Sequence, residues 1–121
     1  MNRRILTVDD SPTVQDMIVT TLQASGYDVV SAPNGVEALR LLKSDSVDLI
    51  ISDVNMGQMG GFEFVTKVRE CAQFQAVPIL FLTTETSGEF KQIGREIGAT
   101  GWVTKPFEPE ELLRVIRRVM L

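Results

Sequence analysis

Two kinds of apolar pattern alternate along the chain. Arg4 to Val8 reads as a first strand and Tyr27 to Ala32 as a second, less apolar one. Val47 to Ser52 and Val77 to Thr83 are near-continuous apolar runs, as expected of strands covered on both faces. Gly101 to Thr104 is a short last strand. Between these runs the period lengthens to that of a helix. Val14, Met17, Ile18 and Leu22 form one stripe, with Ser11 as N-cap, Pro12 at the first helical position and Gly26 at the end. Asn34 with Glu37 has the form of a capping box, ahead of Ala38, Leu41 and Leu42 on one face. Phe62, Val65 and Val68 mark a third helix, and Thr86 with Glu89 is a second capping box before Phe90, Ile93 and Ile97 of a fourth. In the last helix Leu112, Val115, Ile116 and Val119 share a face, and Arg114, Arg117 and Arg118 lie largely away from it.

Strand–helix alternation repeated about five times, with short connections, predicts a parallel sheet wrapped by helices on both faces. Right-handed crossovers leave a Rossmann-type or a flavodoxin-type order. At 121 residues the smaller is expected, an α/β, flavodoxin-like fold with five parallel strands in the order 2-1-3-4-5. No linker or low-complexity segment interrupts the chain, so residues 1–121 read as one domain with no effector domain.

Composition narrows the chemistry. The absence of His excludes a Ser-His-Asp nucleophile and imidazole metal ligands, and a single Cys excludes an internal disulfide or a Cys-based zinc site. A net charge of −4 opposes nucleic-acid binding. No apolar run approaches the roughly 20 residues that span a bilayer, and the N-terminal run is too short for a signal peptide. A soluble cytoplasmic protein with no membrane partner is expected.

Ligands of such sheets bind beyond the carboxyl ends of the strands, where strand order reverses. Asp9 and Asp10 follow the first strand, Asp53 the third and Lys105 the fifth, and Thr83 and Thr84 close the fourth. Three converging carboxylates repel one another unless a hard cation such as Mg²⁺ compensates them. One of them can then act as nucleophile toward a phosphoryl group. Lys105 would stabilise the developing charge and Thr83 would hydrogen-bond a phosphoryl oxygen. Singly, each residue has a local role as a turn former, helix starter or strand residue. Their joint occurrence at four strand ends points to a phosphoryl-accepting site.

Asp9-Asp10, Asp53, Thr83 and Lys105-Pro106, in this order and spacing, resemble the receiver domain of two-component response regulators over essentially the whole chain. The resemblance implies that Asp53 accepts the phosphoryl group from a histidine kinase. It also implies that Asp9, Asp10, Asp53 and the backbone carbonyl of Asn55 hold Mg²⁺. Thr83, with Thr84 beside it, matches the switch hydroxyl, Lys105 the phosphate-binding lysine, and Pro106 a cis-proline. Trp102 falls at the family's switch aromatic, usually Tyr or Phe; core packing at the sheet edge is the other reading. Gly57 stands where Pro is usual and Thr84 where a smaller residue is. By the resemblance, phosphorylation alters the surface of the fourth helix, last strand and last helix, which binds a downstream protein. Asn55 and Glu85 match a pairing of the chemotaxis members.

Three alternatives remain open. An aspartate-nucleophile phosphohydrolase needs an acid two residues after its nucleophile; Asn55 and Ser11 stand there instead. A flavin protein would place a metal-free phosphate against Asp9-Asp10. A stand-alone receiver can also serve a phosphorelay or bind without phosphorylation. The Arg114, Arg117 and Arg118 side reads as helix-end electrostatics, with a docking patch for an acidic partner as the alternative. Gly94 reads equally as a weak point of the fourth helix or as a packing contact. Cys71 reads as partly buried packing.

Overall fold

The computed structural model describes residues 2–120. Five strands, β1 (Arg4–Val8), β2 (Asp28–Ala32), β3 (Leu49–Asp53), β4 (Ile79–Thr83) and β5 (Gly101–Thr104), alternate with five helices. These are α1 (Pro12–Ala24), α2 (Gly35–Leu42), α3 (Gly61–Arg69), α4 (Gly88–Ile97) and α5 (Pro109–Val119), with a 3₁₀ turn at Ala72–Phe74. All pairings are parallel and the order is β2-β1-β3-β4-β5, the expected doubly wound arrangement. No helix among the described residues is long and apolar enough to cross a membrane.

Strand side chains alternate between two faces, so the sheet separates two cores. Leu6, Ile50 and Phe81 pack with Ala38, Phe64, Val68 and Phe90 of α2, α3 and α4. Ile5, Ile51 and Leu82 pack with Ile18 and Leu22 of α1 and Leu112 and Ile116 of α5. Every residue of β3 and β4 is buried, which accounts for the apolar runs Leu49–Ile51 and Ile79–Leu82 that precede their polar ends.

Several boundaries and faces differ from the sequence expectation. β3 begins at Leu49; just before it, Asp48 exchanges two hydrogen bonds with Arg4, its N–H donating to the Arg4 carbonyl and its carboxylate accepting from the Arg4 N–H, both at 2.8 Å. β4 begins at Ile79, after Pro78, which has no N–H to give. The N-cap of α4 is Ser87, whose hydroxyl accepts from the Phe90 N–H at 3.1 Å, so Thr86 lies one residue outside the helix. Asn34 caps α2 through the Glu37 N–H, but Glu37 turns its carboxylate to Arg40 and the box is half made. Met17 of α1 and Ile93 of α4 are 41% and 38% exposed, each at the outer margin of its stripe, while Phe64 of α3 and Leu113 of α5, outside the expected stripes, are buried. Cys71 is exposed: α3 has already ended, and Phe74 in the 3₁₀ turn takes the buried position. Gly94 is buried, and a Cβ there would stand 3.8 Å from the Phe81 ring, an ordinary packing distance.

Arg69 fastens the end of α3 to two neighbours. Its guanidinium donates to the Gly98 carbonyl from Nε and Nη2 (3.0 and 2.8 Å) and to the Phe74 carbonyl from Nη1 (2.6 Å). Gly98 closes α4 at φ 105°, a left-handed conformation suited to glycine.

Candidate functional site

The carboxyl ends of β1, β3, β4 and β5 deliver their polar residues to one edge of the sheet. A carboxylate oxygen from each of Asp9, Asp10 and Asp53 lies within 4.8 Å of the others, with Asp9 and Asp53 buried and Asp10 exposed. The apolar strands exclude water up to this edge, and the acids begin where the ladder stops.

Each side chain is locally fixed. Asp9 accepts from the Ser11 N–H at 2.9 Å, which turns the chain into α1. Gln15 braces the same turn: its amide donates to the carbonyls of Asp9 (3.2 Å) and Ala32 (2.9 Å), and its oxygen accepts from the Thr7 hydroxyl. Asp53 Oδ1 accepts from the Val54 N–H at 2.8 Å. Behind it, Gly61 N–H donates to the Val54 carbonyl at 2.8 Å, seating α3 on the acceptor strand. Neither Gln15 nor this seat was found by sequence reasoning. Gln15 carries no signal beyond a polar residue in α1, and Gly61 none beyond a glycine ahead of the apolar stripe of α3.

Lys105 stands between two acids, with Nζ 3.3 Å from Asp53 Oδ1 and 3.4 Å from Asp9 Oδ2. Its own N–H donates to the Thr83 carbonyl at 2.8 Å, and the Lys105–Pro106 peptide bond is cis. Burial pushes the Asp53 carboxyl above its ordinary pKa; Lys105 opposes this, Asp9 adds to it, and the hydrogen bonds from Lys105 and Val54 oppose it again. One ammonium therefore does not balance the three acids. An all-oxygen cluster with unbalanced negative charge fits a hard divalent cation such as Mg²⁺.

The Thr83 hydroxyl is buried and accepts from the Glu85 N–H at 2.9 Å. Glu85 is exposed, and the Ser87 N–H holds its carboxyl below the usual range. Thr84 faces outward and shares a shallow pocket with Lys105, Pro106 and Phe107. Asn55 is exposed in the loop after β3. Trp102 is engaged elsewhere, packed edge-on to Phe90 with Lys91 and Arg95 of α4 at 5.4 and 5.3 Å from its ring centre.

Comparison with known proteins agrees with this geometry. Residues 5–117 match the family described as "Response regulator receiver domain". The transcriptional regulatory protein YvrH of Bacillus subtilis is 43% identical over 117 residues, 96% of this chain and 48% of its own. The chain thus spans about half the length of YvrH, and likewise 49% of the Bacillus subtilis regulator PhoP. A chemotaxis protein CheY homolog of Campylobacter jejuni is 37% identical over 119 residues, 97% of this chain and 92% of its own. Among solved structures, chemotaxis protein CheY4 of Vibrio cholerae superposes with a TM-score of 0.96 at 51% identity, covering 98% of this chain and 99% of that one.

Proposed function

Because the chain belongs to the response regulator receiver domain family, the phospho-accepting switches of two-component signalling, we propose that Asp53 is the phosphoacceptor. The observation that carries this is the placement of its carboxylate, buried at the end of β3 and 3.3 Å from the Lys105 ammonium, within 4.8 Å of Asp9 and Asp10. Asp9, Asp10, Asp53 and the Asn55 carbonyl would hold Mg²⁺, which when bound offsets charge on the phosphoryl oxygens.

A carboxylate oxygen of Asp53 attacks phosphorus, and the bond from phosphorus to the donor nitrogen of a histidine kinase breaks. Lys105 takes up the added negative charge. The Thr83 hydroxyl exchanges its Glu85 N–H for a phosphoryl oxygen, to which it donates, and so draws in the start of α4. Thr84 borders the entrance and Trp102 sits under the same helix as the switch aromatic. The altered surface of α4, β5 and α5 then binds a downstream protein.

A chemotaxis output is supported by the similarity to CheY proteins and by Asn55 with Glu85. The chain acts in the cytoplasm, without nucleic-acid or membrane partners. It is not an enzyme beyond its own phosphorylation and dephosphorylation, because Asn55 and Ser11 replace the acid that a phosphohydrolase requires.

Intact mass after incubation with Mg²⁺ and a small acyl phosphate tests the assignment. One phosphoryl adduct, absent without Mg²⁺ and in Asp53→Asn, is expected. An adduct that survives in Asp53→Asn overturns it.

A further inference from the structure

The face formed by α2 and α3 carries a groove that the phosphoacceptor chemistry does not use. Its main part, about 630 Å³, lies between the C-terminal halves of the two helices, floored by Leu39, Val68 and Phe74 and rimmed by Lys43 and Lys67. A further 360 Å³ shares Leu39, Lys43 and Lys67 and runs on to the exposed Val36 and to Met59, in the loop after Asp53. The two adjoin along these three shared side chains and are treated together as one channel. Together they reach the about 300–1,000 Å³ typical of specific binding sites.

The charge of this channel runs opposite to that of the whole chain. The protein carries a net charge of −4, yet the lining holds three cations, Arg40, Lys43 and Lys67, against Glu70 alone. Arg40 is paired with Glu37. No carboxylate pairs with Lys43 or Lys67 among the described residues. An apolar floor between two unpaired ammonium groups asks for an occupant with an apolar stripe bordered by carboxylates. The 8 residues of α2, at about 1.5 Å each, give a channel about 12 Å long. That length takes two turns of helix, with anchors at i, i+3 or i+4, and i+7. Three cations are too few and too apolar in setting for a phosphate backbone.

We infer that the α2–α3 channel is a docking site for an acidic amphipathic helix of a partner protein, separate from the α4-β5-α5 surface. The proposal is independent of the phosphoacceptor assignment.

The test is amide NMR on the full chain with a synthetic helix of about 14 residues, leucines at i, i+3 and i+7 and glutamates on both flanks, beside the same helix with lysines. The glutamate peptide is expected to shift the amides of Leu39, Lys43, Lys67 and Cys71, and the lysine peptide to leave them unmoved. Lys43→Glu with Lys67→Glu, both on exposed positions, should weaken the glutamate peptide about tenfold and admit the lysine peptide. Unchanged melting of the double variant shows that it is folded. Shifts scattered over other faces, equal response to both peptides, or unaltered affinity in the double variant overturn the proposal. So do concentration-dependent shifts of the same amides without peptide, which would assign the channel to a second copy of the chain.

Discussion

Gly61 is where the acceptor strand and α3 are closest, and replacing it with alanine tests how the site is built. A Cβ there would stand 2.5 Å from the Asp53 carbonyl oxygen, 2.9 Å from Val54 Cα and 3.0 Å from the Phe81 ring. Two of the three atoms are backbone, so no rotamer change relieves the overlap. Either the end of β3 or the start of α3 must move, and the 2.8 Å bond from Gly61 N–H to the Val54 carbonyl is lengthened. Overpacking of this kind costs about 1–3 kcal/mol, offset by up to about 1 kcal/mol from alanine's lower unfolded-state entropy. A net loss of about 2 kcal/mol lowers Tm by about 6–12 °C in a domain of this size. Because the displaced segment carries Asp53, phosphoryl adduct formation from an acyl phosphate should slow as well. Gly57 is the control. A Cβ there meets nothing within 4 Å and its φ is not in the left-handed range, so Gly57→Ala should stay within about 0.5 kcal/mol of wild type. Thermal unfolding reads both. A Gly61→Ala protein that melts with wild type, or a Gly57→Ala protein that melts as low as Gly61→Ala, refutes the reasoning.

Further outcomes concern the cation, the clamp and the aromatic. The Asp53 carboxyl is raised by burial, so its stabilising contribution is complete below the usual carboxylate range and is lost as pH rises through the raised value; at neutral pH, without metal, Asp53→Asn should melt higher than wild type. Mg²⁺ at a hundredfold excess over its Kd should stabilise wild type by about 2.7 kcal/mol and Asp53→Asn by less, with equal gains in thermal-shift measurements contradicting the cation site. Arg69→Ala removes three hydrogen bonds to carbonyls and should cost about 2 kcal/mol or more, with faster hydrogen exchange confined to the end of α4 and the 3₁₀ turn; uniform acceleration would argue against a clamp. Trp102 is the one tryptophan, so Lys91→Ala with Arg95→Ala should increase acrylamide quenching of its fluorescence and cost about 1 kcal/mol, and unchanged quenching would show that α4 does not cover it.

The sheet was legible because β1, β3 and β4 each carry a short apolar run (Ile5-Leu6, Leu49–Ile51, Ile79–Leu82) between helix-period segments, as strands covered on both faces require. Asp9, Asp10, Asp53 and Lys105 were legible because each stands where such a run stops, and the strand order then forces them together. Helix ends were less so. Thr86 and Ser87 are both hydroxyl residues at the mouth of α4, and the difference lies in a local turn, in which the Ser87 N–H donates to the Glu85 carboxylate, that the spacing of a capping box does not register. Stripe margins failed for a similar reason: Met17 and Ile93 have the right spacing, but burial is decided by how close the neighbouring helix packs. Arg69 left no local signal at all. Its partners are carbonyls of Phe74 and Gly98, the latter 29 residues away, and an arginine in the last turn of a helix reads as a solvated cation.

The fastening of Gly98 has a kinematic consequence. The Gly98 carbonyl, held by two guanidinium donors, ties the C-terminal end of α4 to α3 by hydrogen bonds, while the other end rests on the apolar packing of Phe90 and on the loop from Thr83 to Ser87. Displacement of α4 on these restraints would be rotation about a pivot at Gly98 and not translation across the sheet. Its 10 residues make an arm of about 15 Å, so a tilt of about 10° carries Ser87 roughly 2.6 Å while Ile97 scarcely moves. The swinging tip is the end nearest Thr83, and the still end is the one buried against Arg69.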